Sequence, residues 1–225
     1  MDYQFLQKTP LFCDSSIDEI KSMLNCLGAE KKKFAKGDVI YRAGDTVQSM
    51  GLVLSGRVQI ENDDLWGNKS VLDSIAPGMV FAETYAFLPG EPLMVSAVAS
   101  EPSEILFLNG ARILQSCPNA CVHHSKLIRL LLTISSQKNL NLSRRIFHTS
   151  AKTIRGRLVS YLSGQAAQSQ SPDFTIPFNR QQLADYLSVE RSALSNELSL
   201  MQRDGLIRYE KNHFDVMEQI ETQHL

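Results

Sequence analysis

Hydrophobic positions recur at helical spacing in two short segments toward the end of the chain. Leu183, Ala184 and Leu187 share one face of the first segment, because positions three and four apart lie together on a helix. The second segment repeats this pattern at Ala193, Leu194, Leu198 and Met201. Residues 188–190 are the whole link between the two segments, so the pattern predicts two helices that cross at a steep angle.

The residues that flank these segments predict how the unit begins and ends. Asn179 and Gln182 have the three-residue spacing of a capping box. Gly205 occupies the position after the second helix, where a positive φ is needed to end it. Residues 206–216 then predict two short strands joined by a tight turn. Together these features predict a winged helix-turn-helix, an arrangement that holds its second helix against DNA.

A different pattern covers residues 34–108, where short β-rich runs alternate with turn residues. Closely spaced short strands with Gly and Pro turns predict an antiparallel sandwich or barrel. The turn glycines are Gly37, Gly44, Gly56 and Gly78. All five histidines lie outside this segment, at His123, His124, His148, His213 and His224. A metal oxygenase built from imidazole ligands inside the β-domain is therefore not expected.

The N-terminal region predicts one helix before the β-rich segment. Ser16 and Glu19 form a second capping-box pattern, and Gly28 marks the end of the helix. The lysine run at residues 31–33 predicts a solvated edge, with a DNA contact as the alternative.

A long helical pattern without Pro or Gly runs from residue 120 to residue 146. Its apolar stripe comprises Leu127, Leu130, Leu131 and Ile134, extended less regularly by Leu140, Leu142 and Ile146. A helix this apolar on one side needs a partner surface. Either a second copy of the chain or its own β-domain fits that requirement. Residues 147–149 predict a hinge, followed by a helix that Thr149 or Ser150 caps and Gly164 ends, and then by a surface loop at 165–172.

Length and charge set broad limits. The 225 residues suffice for two domains with separate cores, and the formal net charge is −1 with a pI near 6.5. The N-terminus lacks the order of a signal peptide, and the longest apolar run is interrupted by Arg129 and too short to span a bilayer. Four cysteines without dense spacing suit a reducing compartment. These features predict a soluble cytoplasmic protein with no membrane partner.

The segment CPNACVHH places Cys117 and Cys121 four residues apart, just before His123 and His124. Such a group has the chemistry of a redox pair or a metal site. The alternative is that both cysteines are small residues at a loop-to-helix junction.

The stretch RSALSNEL followed by DGLI closely resembles the DNA-binding domain of the Crp/Fnr superfamily of bacterial transcription regulators, which includes proteins like the catabolite activator protein. The resemblance extends more loosely over nearly the whole chain. It implies an α+β fold with an N-terminal double-stranded β-roll (a cupin-like jelly roll) over residues 1–118. A dimerisation helix and hinge would follow at 119–147, with the winged helix-turn-helix at 148–225. Cys13 and Cys26 do not reproduce the N-terminal cysteine cluster of the iron–sulfur members.

The resemblance also implies which residues contact DNA. Arg191, Ser192 and Asn196 match base-facing positions of the recognition helix, and Arg is suited to bidentate pairing with guanine. Many relatives carry Arg at the position of Asn196. The positions matched to the sugar–phosphate backbone are Arg180, Gln181 and Ser195, with Lys211 and His213 as further candidates in the wing.

In cyclic-nucleotide binders of this family, a cassette supplies a Glu for the ribose and an Arg with a neighbouring Ser or Thr for the phosphate. The matching segment here is GMVFAETYAFLPGEPLMVSAVA, in which Glu83 falls on the Glu position. Leu93 and Met94 stand where the Arg and Ser would be, so the charge-assisted pairing with a phosphate is lost. Binding of cAMP in the usual manner is not expected. A less polar small-molecule effector, or a pocket filled by its own side chains, remains open.

The function that follows is a DNA-binding transcription regulator, active as a homodimer on an inverted repeat, with no catalytic residues, metal or cofactor. RNA polymerase is a candidate partner if the protein activates transcription. Two alternatives are a protein-binding adaptor that has lost DNA binding and a thiol-based redox sensor of the same family. An enzyme using the roll as a cavity is disfavoured, because no nucleophile–base pair or metal-ligand cluster falls there.

Overall fold

The structure is a computed structural model that describes residues 1–63, 69–114 and 122–217. The chain forms two compact units, Met1–Ser136 and Gln137–Leu225. One long helix, α5 (Val122–Thr149), begins in the first unit and ends in the second. Cys117 and Cys121 lie outside the described residues, as do the side chains of His123 and His124.

The first unit combines short helices with eight strands among the described residues. Its helices besides α5 are α1 (Tyr3–Gln7), α2 (Ile17–Cys26), α3 (Glu83–Ala86) and α4 (Gly110–Leu114). Its strands are β1 (Glu30–Phe34), β2 (Val39–Tyr41), β3 (Ser49–Ser55), β4 (Val58–Asp63), β5 (Lys69–Ile75), β6 (Val80–Phe81), β7 (Ser96–Ala99) and β8 (Ser103–Asn109). The capping box of Ser16 and Glu19 is confirmed at the start of α2. Helix α1 was not expected from the sequence.

The strands form two four-stranded antiparallel sheets, in the orders β1-β8-β3-β6 and β2-β7-β4-β5. Residues from both sheets share one apolar cluster that includes Val53, Val58, Ala97 and Ile105, so the sheets pack face to face. The predicted β-sandwich and α+β fold are confirmed. The four turn glycines have φ values between +78° and +91°, a region that L side chains rarely adopt.

The first sheet is buried on both faces. In β3, Val53 points into the cluster between the sheets, whereas Met50 and Leu52 join a second cluster with the helices. Strand β8 divides in the same way, with Ile105 toward the other sheet and Leu106 toward the helices. Because successive side chains of a strand point to opposite faces, a sheet covered on both sides needs continuous apolar runs.

The inner face of α5 belongs to this helical layer. Leu127, Leu130 and Leu131 are buried, and Leu127 and Leu131 pack in the cluster with α1, α2 and the first sheet. Part of the stripe interpreted as a dimerisation surface therefore packs on its own unit. The sequence left both possibilities open, and for these leucines the second is correct. Ile128 and Leu132 lie on another face of α5 and are exposed.

The second unit contains the end of α5, three further helices and a small sheet. Its elements are α6 (Ile154–Ser169), β9 (Asp173–Thr175), α7 (Arg180–Leu187), α8 (Arg191–Arg203), β10 (Ile207–Glu210) and β11 (His213–Val216). The antiparallel sheet has the order β10-β11-β9. The predicted helix-turn-helix with a hairpin wing is confirmed.

Helix α6 differs from the prediction at both ends. Thr153 caps it rather than Thr149 or Ser150, and it continues past Gly164 to Ser169, into the segment expected to be a loop. Gly164 does not end the helix, and its missing side chain instead allows His148 to approach closely. A Cβ at this position would lie 3.1 Å from Nε2 of His148, so the glycine leaves room for the imidazole.

Strand β1 lies at the edge of the first sheet and carries the lysine run. Lys31 and Lys33 both pair with Glu104 on β8, at 3.1 and 3.2 Å. These hydrogen bonds lower the pKa of Glu104 below its ordinary value. The lysine run is therefore a charged edge of the sheet, in agreement with the interpretation of residues 31–33 as a solvated edge.

None of the described helices combines the length and the apolar character that crossing a bilayer requires.

Candidate nucleic-acid interface

Helices α7 and α8 are packed together by the apolar faces that the sequence predicted. Six of their side chains are fully buried in the core of the second unit: Leu183, Ala184, Leu187, Leu194, Leu198 and Met201. Asn179 and Gln182 form the predicted capping box at the start of α7. After α8, Gly205 has a φ of +72°, and the Leu206 N–H donates to the carbonyl of Met201 at 3.0 Å, which completes a Schellman motif. The start of α7 and the end of α8 are therefore fixed by local hydrogen bonds.

Two arginines hold the C-terminal end of α7. Arg145 donates from Nε and Nη2, at 3.1 and 2.9 Å, and Arg157 donates twice from Nη1, both times at 3.0 Å. The acceptors are the backbone carbonyls of Asp185, Tyr186, Leu187 and Ser188. The last carbonyls of a helix have no partner within it, and cations are favoured there by the helix dipole. These bonds from α5 and α6 fix the turn between α7 and α8.

The turn itself depends on a left-handed residue. Ser188 has a φ of +54°, a conformation usually given to glycine. Its N–H bonds back to the carbonyl of Asp185, and the Val189 N–H reaches the carbonyl of Ala184 at 3.0 Å. The chain thus reverses within the three-residue link that the sequence indicated.

Arg155 connects α6 to α8. Its Nε lies 2.6 Å from Oε1 of Glu197, and its Nη1 lies 2.8 Å from Oδ2 of Asp204. Both hydrogen bonds raise the pKa of the Arg155 guanidinium above its ordinary value. The pair of contacts reaches the middle and the end of α8, so α8 is anchored along its inner side.

An aromatic cluster lies where the end of α5 packs on α6 and α7. His148 is buried, its Nδ1 is 2.9 Å from Oη of Tyr186, and its ring lies edge-on to that of Tyr161 at 5.4 Å. Phe178 stacks on Tyr161 and also contacts Tyr186. Burial, assisted by the nearby charge of Arg144, lowers the pKa of His148 below its ordinary value. The cluster therefore favours a neutral imidazole at the junction of the three helices.

The outer face of α8 carries the residues assigned to DNA. Arg191, Ser192 and Asn196 are exposed, and Ser195 is half-buried with its hydroxyl donating to the carbonyl of Arg191 at 3.0 Å. One helical face thus presents an arginine, an amide and two hydroxyls. Guanidinium and amide groups are suited to paired hydrogen bonds with base edges in the major groove.

Glu190 caps the N-terminus of α8, a role that was missed in the sequence. Its Oε2 accepts from the backbone N–H groups of Ser192 and Ala193, at 2.6 and 3.1 Å, and from the Ser192 hydroxyl. These bonds lower the pKa of Glu190. The residues usually found at an N-cap are Ser, Thr, Asp and Asn, so a Glu in this role was not apparent from the sequence, although its negative charge is favoured by the helix dipole. Ser192 is held toward this cap.

The start of α7 and the wing form the sides of this surface. The Arg180 guanidinium lies over the ring of Tyr209 at 4.9 Å and donates from Nη2 to the carbonyl of Lys211 at 3.3 Å. Its partial burial lowers its pKa. Gln181 is exposed and donates to Asp185, and Lys211 is exposed at the turn of the wing. Arg180 thus ties α7 to the wing.

The three residues assigned to an effector pocket occupy different environments. Glu83 is buried at the first position of α3, after Ala82 in a left-handed conformation. Leu93 is also buried, whereas Met94 is 75% exposed and therefore cannot line an enclosed pocket. Neither residue offers a cation to a phosphate.

No group of three or more metal-ligating side chains occurs in the part of the chain that the structure describes. Cys13 and Cys26 are exposed.

Comparison with known proteins identifies both halves. The family model of the cyclic nucleotide-binding domain matches residues 31–119, and that of the Crp-like helix-turn-helix domain matches residues 156–218. The Cyclic AMP receptor protein of Thermus thermophilus is 25% identical over 213 residues, which cover 95% of this chain and 94% of that relative.

Solved structures agree with this result. The crystal structure of the Thermus thermophilus Catabolite Activator Protein has 26% identity and a TM-score of 0.50, with 93% of this chain and 94% of that chain covered. CprK in complex with OCPA has 16% identity and a TM-score of 0.61, with coverages of 88% and 91%, and supports the fold alone. The chain belongs to the Crp/Fnr superfamily of bacterial transcription regulators, as a DNA-binding regulator in which a cyclic nucleotide-binding-like domain precedes a winged helix-turn-helix.

Proposed function

We propose that this regulator works as a homodimer and recognises an inverted-repeat operator, with α8 of each copy in the major groove. The observation that carries the proposal is a second apolar face on α5, separate from the face that packs on the β-roll. Ile128, Leu132, Leu142 and Ile146 are 39%, 66%, 62% and 69% exposed. Large side chains this exposed along one line of a helix favour burial against another surface.

The spacing of this face is that of a two-stranded coiled coil. Steps of four and three residues lead from Ile128 through Leu132 to Leu142 and Ile146, with Ser135 and Asn139 at the two positions between. This is the alternation of positions a and d in a heptad repeat. A second copy of the same helix has the matching pattern, and a two-fold axis brings identical faces together. Asn139, near the centre, is the kind of polar seam residue that fixes register in such pairs.

Leu142→Glu tests the dimer. A charge at this position of the seam should shift the protein from dimer to monomer in sedimentation equilibrium at micromolar concentration. Leu140→Glu is the matched control, since Leu140 is an exposed leucine of the same helix, off the seam. A wild-type protein that is monomeric with and without DNA, or equal behaviour of the two variants, would contradict the proposal.

On DNA, the assigned contacts divide by chemistry. We assign base contacts to Arg191, Ser192 and Asn196, and backbone contacts to Gln181, Ser195, Lys211 and Arg180. Dimer-related recognition helices meet successive major grooves when their half-sites are about 34 Å apart. The contacts of Arg145 and Arg157 with the turn before α8, and those of Arg155 with α8 itself, would hold α8 rigid for this purpose.

Selection of the purified protein against a random duplex pool tests the operator. The expected product is an inverted repeat with half-sites about one helical turn apart. Arg191→Ala should weaken binding by about 1–3 kcal/mol and relax the choice of base at one position per half-site. Arg203→Ala, a basic residue of the last turn of α8, serves as the control and should leave base preference unchanged. Unchanged selection by Arg191→Ala would show that the assigned register is wrong.

Salt dependence separates DNA binding from the adaptor alternative. The second unit carries eleven basic and nine acidic residues, whereas the first carries twelve and fifteen, so the positive charge is local. A steep fall of affinity with salt would mark phosphate neutralisation. A flat response would favour an adaptor that binds protein.

We further propose that the β-roll transmits a signal through α5, with functional domains at 1–118, 119–147 and 148–225. Because Leu93 and Met94 replace the phosphate-binding pair, an effector at Glu83 would be less polar than cAMP. Calorimetric titration with cAMP should show no saturable binding. RNA polymerase would be the partner if the dimer activates transcription, which pull-down on operator DNA would detect.

A further inference from the structure

A cavity of about 690 Å³ opens into the β-roll between strands β1 and β2. These consecutive strands are edge strands of different sheets, and the sandwich is open between them. The volume falls within the range of small-molecule sites, roughly 300–1,000 Å³. Glu83 follows β6, which is the opposite edge of the sheet that contains β1. Glu83, Leu93 and Met94 are not among the residues that line the cavity, which is therefore distinct from the cassette that the family uses for cyclic nucleotides.

Three aromatic rings form the floor of the cavity. Phe107 lies edge-on to Phe34, with ring centroids 6.2 Å apart, and edge-on to Tyr41 at 5.7 Å. The Tyr41 hydroxyl donates to the carbonyl of Ser49 at 2.8 Å, and burial raises the pKa of Tyr41 to about 12. The phenol is therefore neutral at physiological pH and adds no negative charge. Such a floor suits a planar apolar group.

Two cations stand at the rim. The Lys32 Nζ lies 5.5 Å from the centroid of the Phe107 ring and 3.3 Å from Oε2 of Glu30. Across the described residues, no carboxylate pairs with Arg112. Its guanidinium lies against Gly28, where an added Cβ would overlap Nη1. Lys32, Arg112 and Glu30 together carry one net positive charge. Because Lys32 pairs with Glu30, the cation without a carboxylate partner among the described residues is Arg112.

We propose that this cavity is a second ligand site, which binds a small aromatic monoanion with its ring on Phe34, Tyr41 and Phe107 and its carboxylate on Arg112. A guanidinium pairs with a planar carboxylate through two parallel hydrogen bonds. Lys32 adds attraction from the side, while Glu30 disfavours a second negative charge on the ligand. The site needs neither DNA nor a dimer, so its test is independent of the operator proposal.

Calorimetric titration of the full-length protein with 2-naphthoate, and in parallel with neutral 2-naphthamide, tests the site. We expect one saturable site per chain for the carboxylate and an affinity about tenfold higher than for the amide, the worth of one charge-assisted hydrogen bond. Arg112→Gln should remove this preference for the carboxylate. Lys31→Gln is the matched control, because it removes the same charge from the neighbouring strand position, where Lys31 pairs with Glu104 instead.

Mapping of amide chemical shifts during the same titration locates the ligand. Changes should centre on Lys32, Tyr41 and Arg112. Circular dichroism confirms that each variant is folded. Three results would overturn the proposal: no saturable binding of 2-naphthoate, equal affinity for the acid and the amide, or shift changes confined to Glu83 and Leu93.

Discussion

The β-roll unit and the helix-turn-helix unit hold their exposed surfaces in place by different interactions. In the roll, apolar side chains cover both faces of the first sheet, and three lysines lie on its edge strand β1. Behind the helix-turn-helix, three arginines donate to named backbone carbonyls or carboxylates. Apolar packing excludes water but is not directional, whereas a guanidinium fixes distance and angle. A surface that must match DNA gains most from the second kind of support.

The largest expected effect comes from the roll. Leu106→Ala removes a fully buried side chain between the first sheet and the helical layer, and should destabilise the first unit by about 3–4 kcal/mol. Hydrogen exchange monitored by mass spectrometry would show the loss of protection in β3 and β8. Leu72→Ala is the control, since Leu72 is 57% exposed, and its effect should stay within about 0.5 kcal/mol. Equal costs for the two variants would contradict the assigned core.

A smaller effect is expected from Arg157→Gln, which removes the bonds to the carbonyls of Leu187 and Ser188. We expect a loss of about 2 kcal/mol from the second unit, as hydrogen bonds to charged donors are worth about 1.5–3 kcal/mol. Exchange should accelerate in residues 184–190 before the rest of the unit. Arg208→Gln, an exposed arginine on β10, should leave this segment protected. Unchanged exchange in Arg157→Gln would mean that the turn is held by apolar packing, as in the roll.

The smallest effect concerns pH. Because burial lowers the pKa of His148 in the folded state, the unfolded chain takes up a proton first as the solution is acidified. The contribution of His148 is complete above the unfolded pKa near 6.5 and is lost as the pH falls below it. The carboxylates Glu104 and Glu190, with lowered pKa values, lose their contribution only below about 4.5. In His148→Gln, the denaturant concentration at the unfolding midpoint should therefore change less between pH 7 and pH 5.5 than it does in the wild-type protein. An unchanged pH dependence would refute the role of His148.

The parts of the fold that the sequence predicted depend on local features. The capping boxes at Ser16 and Asn179, the ends at Gly28 and Gly205, and the wing hairpin each involve residues within a few positions of one another. Neighbouring groups along the chain determine such features whatever the rest of the molecule does. The family motif then supplied the order of the two domains.

The features that the sequence did not predict depend on contacts between distant residues. From the sequence alone, a glycine at position 164 predicts the end of a helix. Its actual role depends on its contact with His148, sixteen positions earlier in the chain. Nothing in the neighbouring sequence distinguishes Arg145 and Arg157 from other surface arginines, because their acceptors are backbone carbonyls at the distant end of α7. Which leucines of α5 are buried and which are exposed likewise depends on packing against the β-roll, which is distant in sequence. The DNA contacts of Arg191 and Asn196 stay a prediction.

The lysines of β1 have a consequence for the protein in a crowded cell. A sheet edge carries unpaired backbone donors and acceptors, and it invites strands of other molecules to add on. Three successive lysines on that edge, at residues 31–33, make such addition costly, because an added strand would have to cover these charged side chains and remove the water around them. The chain therefore keeps the side of its roll open to small molecules while it discourages aggregation along the same edge.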